Sequence, residues 1–339
     1  MALSKQELAS LTDEMKPFLE DSGVPEHDHM PFAYYFSQAP EGSVPEYTWG
    51  MLDRGMGKQS TYPGVDLELV DMVGDTMIPN YRRRVHGLRP VLDVMKPLAE
   101  DIDEALKEGS ILAFSNHPTI PTPIIHERSF IEAMLPGRPD IQQHTYTVYG
   151  LLPTTFRYNL KRFATELSPT GVSLALGNLL VTAAVSDSNM QPELKEWQTQ
   201  YRKWFTANLI GLLSVPGNVV FLVASGQRDI HSTMLPKGGR IIHQPEGDTG
   251  LYVRPGIKVL NTAFHDHLLE DTDHPGSPVE MYVNPHLQDA TKRVIDDLNL
   301  WQARTLDTAH DGTRYYEEGF EDLARRMSDR ANQLMHRNA

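Results

Sequence analysis

Two short polar segments, each directly after an apolar run, carry the side chains best suited to chemistry. The first is Asn116 and His117, which follow the run Ser-Ile-Leu-Ala-Phe-Ser at 110–115 and precede a proline-rich turn. The imidazole of histidine titrates close to neutral pH, so a neutral His117 could take a proton from a hydroxyl nucleophile. The alternative is that His117 only hydrogen-bonds the turn. This segment alone leaves both interpretations open.

The second polar segment is Ser-Gly-Gln-Arg-Asp at 225–229, after the β-branched run 218–224. Gly226 lets a ligand approach the backbone closely, and the guanidinium of Arg228 is a planar fork that matches phosphate or carboxylate. The alternative is a surface turn in which Arg228 and Asp229 form a weak exposed ion pair. In a parallel sheet both segments would lie at one carboxyl edge, where open α/β sheets bind ligands.

The elements that must position these segments follow from the spacing of apolar residues. The pattern predicts helices at 3–19, 65–77, 81–106, 124–134 and about 287–337, and strands at 110–115, 218–224, 257–264 and 279–283. Gly109 is expected to end the helix before the first strand, and residues 21–63 are expected to be irregular. The alternation of strands and helices predicts an α/β fold, with a helical N-terminal region, 1–86, followed by a mixed sheet flanked by helices, 87–339.

Composition excludes several classes of function. The chain has 339 residues, a net charge of −14 and no cysteine. Without cysteine there is no disulfide, no Cys-ligated zinc or iron–sulfur cluster and no thiol nucleophile. An acidic chain is not expected to bind nucleic acid, and an anionic substrate would need a local basic pocket.

Targeting and membrane signals are weak. The acidic N-terminus is unlike a secretory signal or a transit peptide, so we expect a cytoplasmic protein. The uncharged stretch 167–186 is too polar for a membrane span, and the stretch 205–227 is divided by a turn signal at 214–218 into a helix and a strand. Peripheral contact with a membrane surface is left open.

The order of these segments resembles the soluble, plastid-type glycerol-3-phosphate acyltransferases of the phospholipid/glycerol acyltransferase superfamily. Residues 80–93 and 111–123 are similar to the helix and Asn-His-x-x-x-x-Asp region of that family. Residues 219–229 are similar to its strand and Ser-Gly-Gly-Arg-Asp loop, with Gln227 in place of the second glycine, and Ala263-Phe264-His265-Asp266 is similar to its His-Asp pair. The resemblance covers about residues 80–285.

The resemblance implies an acyltransferase-like α/β domain and an enzyme of phospholipid biosynthesis. It implies that His117 is the general base on a hydroxyl of glycerol 3-phosphate or a related acceptor, which attacks the thioester of acyl-CoA or an acyl carrier protein. No cofactor is expected beyond that co-substrate. Arg228 would bind the phosphate. The further substrate-binding residues that it implies are Asn116, Arg157, Lys161, Ser225, Gly226 and Asp229, with Arg162 as another candidate in the same basic segment.

The chain departs from the family at two positions. Thr122 stands where the family has the motif aspartate, and Ile230 stands where a second basic residue follows the Arg-Asp pair. Thr122 is kept as a catalytic candidate, although a hydroxyl cannot supply the charge of a carboxylate. Three explanations remain open: lost acyl transfer with a retained ligand site, a substitute carboxylate such as Glu127 or Asp266, or a less demanding reaction. The alternative function is a catalytically impaired acyltransferase-fold protein that binds a lipid, an acyl carrier or a protein partner.

Two histidine pairs contain residue types that could bind a metal. They are His27-Asp28-His29 and His265-Asp266-His267. Such pairs are common by chance in acidic loops, and we expect no metal site. Glycine-rich nucleotide-binding motifs and a Gly-x-Ser-x-Gly elbow are absent from the sequence, so neither nucleotide binding nor an α/β-hydrolase is predicted.

Overall fold

A seven-stranded sheet with helices on both faces forms the described part of the chain. The computed structural model describes residues 5–21, 26, 29–30, 44–60, 64, 94–116, 122–151, 178–183, 192–223, 254–266, 279–291, 294 and 301. The helices are α1 (Lys5–Asp21), α2 (Val44–Gly55), α3 (Ala99–Glu108), α4 (Thr122–Met134) and α5 (Pro192–Leu213), and short 3-10 helices cover Lys96–Leu98 and Ile141–His144. The strands are β1 (Ser110–Ser115), β2 (Thr145–Leu151), β3 (Asn178–Ala183), β4 (Val219–Val223), β5 (Ile257–Asp266), β6 (Val279–Val283) and β7 (Gln288–Asp289).

The sheet is mixed. Its order is β3-β2-β4-β1-β5-β6, and β7 also pairs with β5. The five strands from β3 to β5 in that order are parallel, while β6 and β7 run antiparallel to β5. The predicted fold class, an α/β chain with a mixed sheet flanked by helices, is therefore confirmed.

Alternation of side chains along β1 assigns the helices to the two faces. Successive strand residues point to opposite faces. Ile111 and Ala113 belong to a buried cluster with α3 and α4. Ser110, of the other parity, donates its hydroxyl hydrogen bond to the carbonyl of Leu213 at the end of α5. Helix α2 packs with α5 and β3. Hence α3 and α4 cover one face of the sheet, and α2 and α5 cover the other.

Three glycines close the amino edge of the sheet. Helix α3 ends at Gly109, as the sequence predicted. The N–H of Gly109 donates to the carbonyl oxygen of Ala105 at 2.9 Å. Gly217 donates to the Gly109 carbonyl at 2.8 Å. A Cβ on Gly109 would overlap the carbonyl oxygen of Gly256, and Gly256 itself has φ +83, a backbone conformation that favours glycine. These contacts let β1, β4 and β5 start side by side.

Most of the predicted elements that fall on described residues are found in the structure, and two of the predictions are wrong there. The predictions confirmed are the helices at 3–19 and 124–134, the end of the helix before Gly109, the four strands, and the division of 205–227 into α5 and β4. The prediction that 21–63 is irregular is wrong, because α2 occupies part of it. The prediction of helix from about residue 287 is wrong at its start, where β7 pairs with β5. Strands β2 and β3 were not predicted. The predicted helix at 65–77 lies outside the described residues.

Candidate functional site

The carboxyl ends of the parallel strands meet at one edge of the sheet. Strands β1 and β4 are direct neighbours, and their last residues, Ser115 and Val223, lie opposite each other. Asn116 directly follows the first of these, and Ser225 comes two residues after the second. The prediction that a parallel sheet brings these two strand ends to the same edge is confirmed.

Two of the predicted site residues belong to the described chain. Asn116 is described in full, and Thr122 is the first residue of α4. The other predicted site residues lie outside the described residues, and their roles stay predictions: His117, Arg157, Lys161, Ser225, Gly226, Arg228 and Asp229. Arg162 lies outside them as well.

The side-chain amide of Asn116 hydrogen-bonds the backbone of β5. The residue is 1% exposed. Its Nδ2 donates to the carbonyl oxygen of Phe264 at 2.9 Å, and the N–H of Phe264 donates to Asn116 Oδ1 at 2.7 Å. The backbone register of β1 with β5 ends at Phe114 and Asn261. The amide of Asn116 therefore continues the pairing of the two strands beyond the point where the backbones stop.

This contact also brings two of the sequence motifs together. Phe264 directly precedes His265 and Asp266, which end β5 and pair antiparallel with Glu280 and Val279 of β6. The side chain of Asn116 is thus bonded to the backbone of the residue directly before the His-Asp segment. The carboxyl ends of β4, β1 and β5 are therefore neighbours at one edge of the sheet.

Sequence reasoning missed a buried histidine beside this edge. His126, on α4, is 1% exposed, and its ring packs edge-on against Phe221 of β4, with centroids 4.7 Å apart, and against Phe264 of β5 at 5.6 Å. Its Nε2 lies 2.9 Å from the hydroxyl oxygen of Thr262. The signal in the sequence was its spacing, because His126 stands four residues before Phe130 on the apolar stripe of a predicted helix.

The hydrogen bonds of Thr262 determine which ring nitrogen of His126 carries the hydrogen. The hydroxyl of Thr262 donates its single proton to the carbonyl oxygen of Phe114 at 2.8 Å. It can therefore only accept at His126, so Nε2 carries the hydrogen and Nδ1 has a lone pair. Burial lowers the pKa of His126 to about 3, which keeps the imidazole neutral. The ring fastens α4 to β5, and the same hydroxyl fastens β5 to β1.

Glu127 is the sole buried carboxylate among the residues that the structure describes, at 1% exposure. Residues of a helix are rotated by about 100° per position. Ser129, whose hydroxyl lies 3.7 Å from the Met281 sulfur of β6, is on one side of the sheet-facing His126. Glu127 is on the other side, toward β4 and β2, which α4 also contacts. A carboxylate shielded from water is stable only where it is paired or protonated.

A second polar group lies on the same face of the sheet. Thr147 of β2 is opposite Phe221 in the register of β2 with β4, so it faces α4. It is 4% exposed, and its Oγ1 has no hydrogen-bond partner within the described structure. The space between α4 and the strands β2 and β4 thus contains polar groups in an otherwise apolar core.

The opposite edge of the sheet has a different character. An open groove of about 620 Å³ lies there, between α3 and the first residues of β5. Charges of both signs line it, including Glu104, Lys107 and Lys258. None of the polar segments singled out in the sequence borders this groove.

Two further findings bear on metals and membranes. Among the described residues, no group of three or more histidine, aspartate or glutamate side chains could hold a metal ion. Of the helices in the described ranges, none has both the length and the apolar character needed to cross a bilayer.

No protein-family model matches the chain, and no curated protein matches it. The case for a function therefore depends on the motifs of this sequence and on the geometry of the carboxyl edge.

Proposed function

We propose that this chain is an O-acyltransferase that moves a fatty acyl group from acyl-CoA or an acyl carrier protein to a hydroxyl of glycerol 3-phosphate or a related acceptor. His117 is its general base, and Arg228 binds the acceptor phosphate. The 87–339 segment is an acyltransferase-like α/β domain, and the activity serves phospholipid synthesis in the cytoplasm or at the surface of a membrane.

The observation that carries the proposal is the alignment of β1 with β4. The strands are adjacent and parallel, with Ser115 opposite Val223. The Asn116-His117 segment follows one strand end, and the segment with Arg228 follows the other. A base for a hydroxyl and a binding group for its phosphate belong to one acceptor, so they must come from neighbouring parts of the fold. Two adjacent strand ends meet that requirement.

The contact between Asn116 and Phe264 supports the same proposal. It ties the Asn-His segment to the residue before His265, where the sequence resembles a third feature of the family. Two of the three motifs thus come after the ends of β4 and β1, and the third ends β5; these three strands are neighbours in the sheet. Their order in the sheet is a stronger argument than any one of these short motifs.

The reaction needs a base and an anion site, and it needs no cysteine. His117 takes the proton of the acceptor hydroxyl while the hydroxyl oxygen attacks the carbonyl carbon of the thioester, giving a tetrahedral intermediate. The intermediate collapses with cleavage of the C–S bond, and the thiolate of the donor leaves and takes the proton from His117. The products are an ester and a free thiol. Because the chain has no cysteine, the acyl group cannot pass through a cysteinyl thioester, and direct transfer from donor to acceptor is the simplest route.

The charge that Thr122 lacks can come from another carboxylate. Glu127 supports this explanation, because it is buried on α4, the helix that directly follows the segment of His117. A carboxylate near an imidazole favours its protonated form and so assists proton removal from the acceptor. Among the three explanations for Thr122, a substitute carboxylate is therefore the one that we adopt.

The proposal is tested by measuring acyl transfer from acyl-CoA and from acyl carrier protein to a panel of glycerol phosphates. Replacing a general base typically lowers the rate by about 10²–10⁴-fold, and His117→Ala should show a loss in that range. His144→Ala is the matched control, because His144 is 41% exposed and lies before β2, at the amino edge of the sheet. Activity that survives in His117→Ala would exclude His117 as the base.

The impaired protein is the second candidate, and Thr122 is the observation that favours it. It predicts that the wild type transfers no acyl group to any acceptor in the panel but still binds acyl-CoA or acyl carrier protein. Binding can be measured by calorimetry with the same donors. Transfer by the wild type would exclude this candidate.

A further inference from the structure

We propose that Asn116 is a positioning residue and not a substrate ligand: its amide fixes the start of the connection between β1 and α4, and thereby the base that follows it, against β5. This inference rests on the proposed role of His117. It changes the role that the family resemblance implied for Asn116.

The side-chain amide of Asn116 is already hydrogen-bonded to the backbone of β5. An asparagine side chain offers one oxygen acceptor and two N–H donors. The oxygen of Asn116 accepts from the N–H of Phe264, and one donor is given to the carbonyl of the same residue. At 1% exposure, the side chain has little surface left to offer a substrate. It behaves as a backbone group that adds one more rung between β1 and β5.

The residues at both ends of the connection between β1 and α4 are fastened to the same stretch of β5. At one end, Asn116 binds Phe264. At the other end, α4 is held through His126, whose ring binds the hydroxyl of Thr262. Thr262 also binds the carbonyl of Phe114, two residues before Asn116. The connection spans residues 117–121, and its two anchors on β5 are only two residues apart.

Asn116 is the last described residue before this connection, and it directly precedes His117 in the sequence. We therefore infer that the position of the base depends on the anchor that Asn116 makes with β5. A catalytic group must be held within a small distance of its productive position, and a displacement of about 1 Å can cost on the order of 100-fold in rate. Removing the amide of Asn116 releases that anchor on β5.

The chain offers a matched control at the opposite edge of the sheet. Asn218 is also 1% exposed, and its Nδ2 donates to the carbonyls of Gly55 at 3.1 Å and Leu212 at 3.0 Å. Asn218→Ala and Asn116→Ala both remove two buried hydrogen bonds from an asparagine. Only the second lies beside the proposed base.

The experiment measures kcat and KM for acyl transfer with wild type, Asn116→Ala and Asn218→Ala, at a temperature where all three are folded. We expect Asn116→Ala to lower kcat by about 100-fold with an unchanged KM, and Asn218→Ala to leave both unchanged. A raised KM with an unchanged kcat in Asn116→Ala would make Asn116 a substrate ligand. Equal losses of kcat in both variants would make its role purely structural. Either result overturns the proposal.

A second measurement separates this proposal from the proposed function. The imidazole proton resonances and titration of His117 are followed by NMR in the same three proteins, together with hydrogen exchange at the Phe264 amide. We expect Asn116→Ala to shift the His117 resonances and to speed exchange at Phe264, with no such change in Asn218→Ala. A wild type without transferase activity would refute the proposed function alone. An unchanged His117 spectrum would refute the positioning role. If Asn116→Ala does not fold, Asn116→Asp replaces it, because a carboxylate can accept from Phe264 but cannot donate to it.

Discussion

Acid should destabilise this protein through His126, and His126→Phe should remove that part of the pH dependence. Burial lowers the pKa of His126 to about 3, whereas an unfolded chain leaves histidine at about 6.5. Between these two values the unfolded state binds a proton that the folded state does not. The free energy of unfolding is therefore unaffected by His126 above pH 6.5 and falls as the pH drops from 6.5 toward 3.

The size of the effect follows from the difference between the two pKa values. Each unit corresponds to about 1.4 kcal/mol, so about 2 kcal/mol is lost by pH 5 and about 4 kcal/mol by pH 3. Phenylalanine keeps a ring against Phe221 and Phe264, and Thr262 still donates to Phe114. The variant loses one hydrogen bond, about 1 kcal/mol. It should thus be slightly less stable than wild type at pH 7.5 and slightly more stable at pH 5.

Urea unfolding followed by tryptophan fluorescence measures this difference at several pH values. Many carboxylates of this acidic chain also titrate, so the informative quantity is the wild-type stability minus that of His126→Phe. His144→Gln provides the control, because that histidine is solvent-exposed. If the difference between wild type and His126→Phe stays constant from pH 7.5 to pH 5, the account of a buried neutral imidazole is wrong.

Two further substitutions test the amino edge of the sheet and the departure from the family motif. Gly109→Ala should lower the free energy of unfolding by about 1–3 kcal/mol in urea, because the new Cβ would overlap the carbonyl oxygen of Gly256. Gly137→Ala is the control and should be nearly neutral, because the atom nearest to its Cβ, the carbonyl oxygen of Met134, is 4.0 Å away. Equal stabilities of these two variants would contradict the close approach. In the acyl-transfer assay, Thr122→Asp should create no new activity relative to the uncharged Thr122→Asn if another carboxylate already assists His117. A wild type without activity that only Thr122→Asp makes active would contradict the proposal of an active enzyme.

The strands were predictable where their sequences are unambiguous. Strands β1 and β4 are short apolar runs next to turn residues, and their length and composition favour a buried strand. Strand β3, with its Asn-Leu-Leu-Val-Thr-Ala sequence, fits a helix as well as a strand, and its pairing with β2 decides the outcome. For such a segment the tertiary partner, not the local sequence, selects the structure.

Helix α2 was missed for a different reason. Pro45 and Gly50 made the segment look irregular, but Pro45 is the second residue of the helix, where no intrahelical partner awaits its missing N–H. The helix is stabilised by its contacts, with Thr48, Met51 and Leu52 buried on one face. The spacing of these three residues is helical, and it was a better guide than the presence of proline and glycine.

The candidate site divides in the same way into local and tertiary parts. The meeting of the ends of β1 and β4 at one edge followed from the strand predictions and from the rule that parallel strands have their carboxyl ends at the same edge. The fastening of that edge did not, because Asn116 and Phe264 are 148 residues apart in sequence, and His126 and Thr262 are 136 apart. A polar residue inside an apolar strand, such as Thr262, is the signal that a buried partner exists, but its identity depends on the packing of α4 over the sheet.

The two neighbouring residues of α4 show what this packing means for catalysis. His126 packs against β4 and β5, where burial holds it neutral, so it can fasten α4 to the sheet but cannot serve as a charged group. Glu127 is rotated by about 100° from it, toward β4, the strand that leads to the segment of Arg228. A buried carboxylate is costly to keep without a partner of opposite charge or a hydrogen-bond donor. On the proposed function, two neighbouring residues of α4 therefore have separate tasks: His126 fastens the connection that carries His117 to β5, and Glu127 is the carboxylate that can take the place of the motif aspartate.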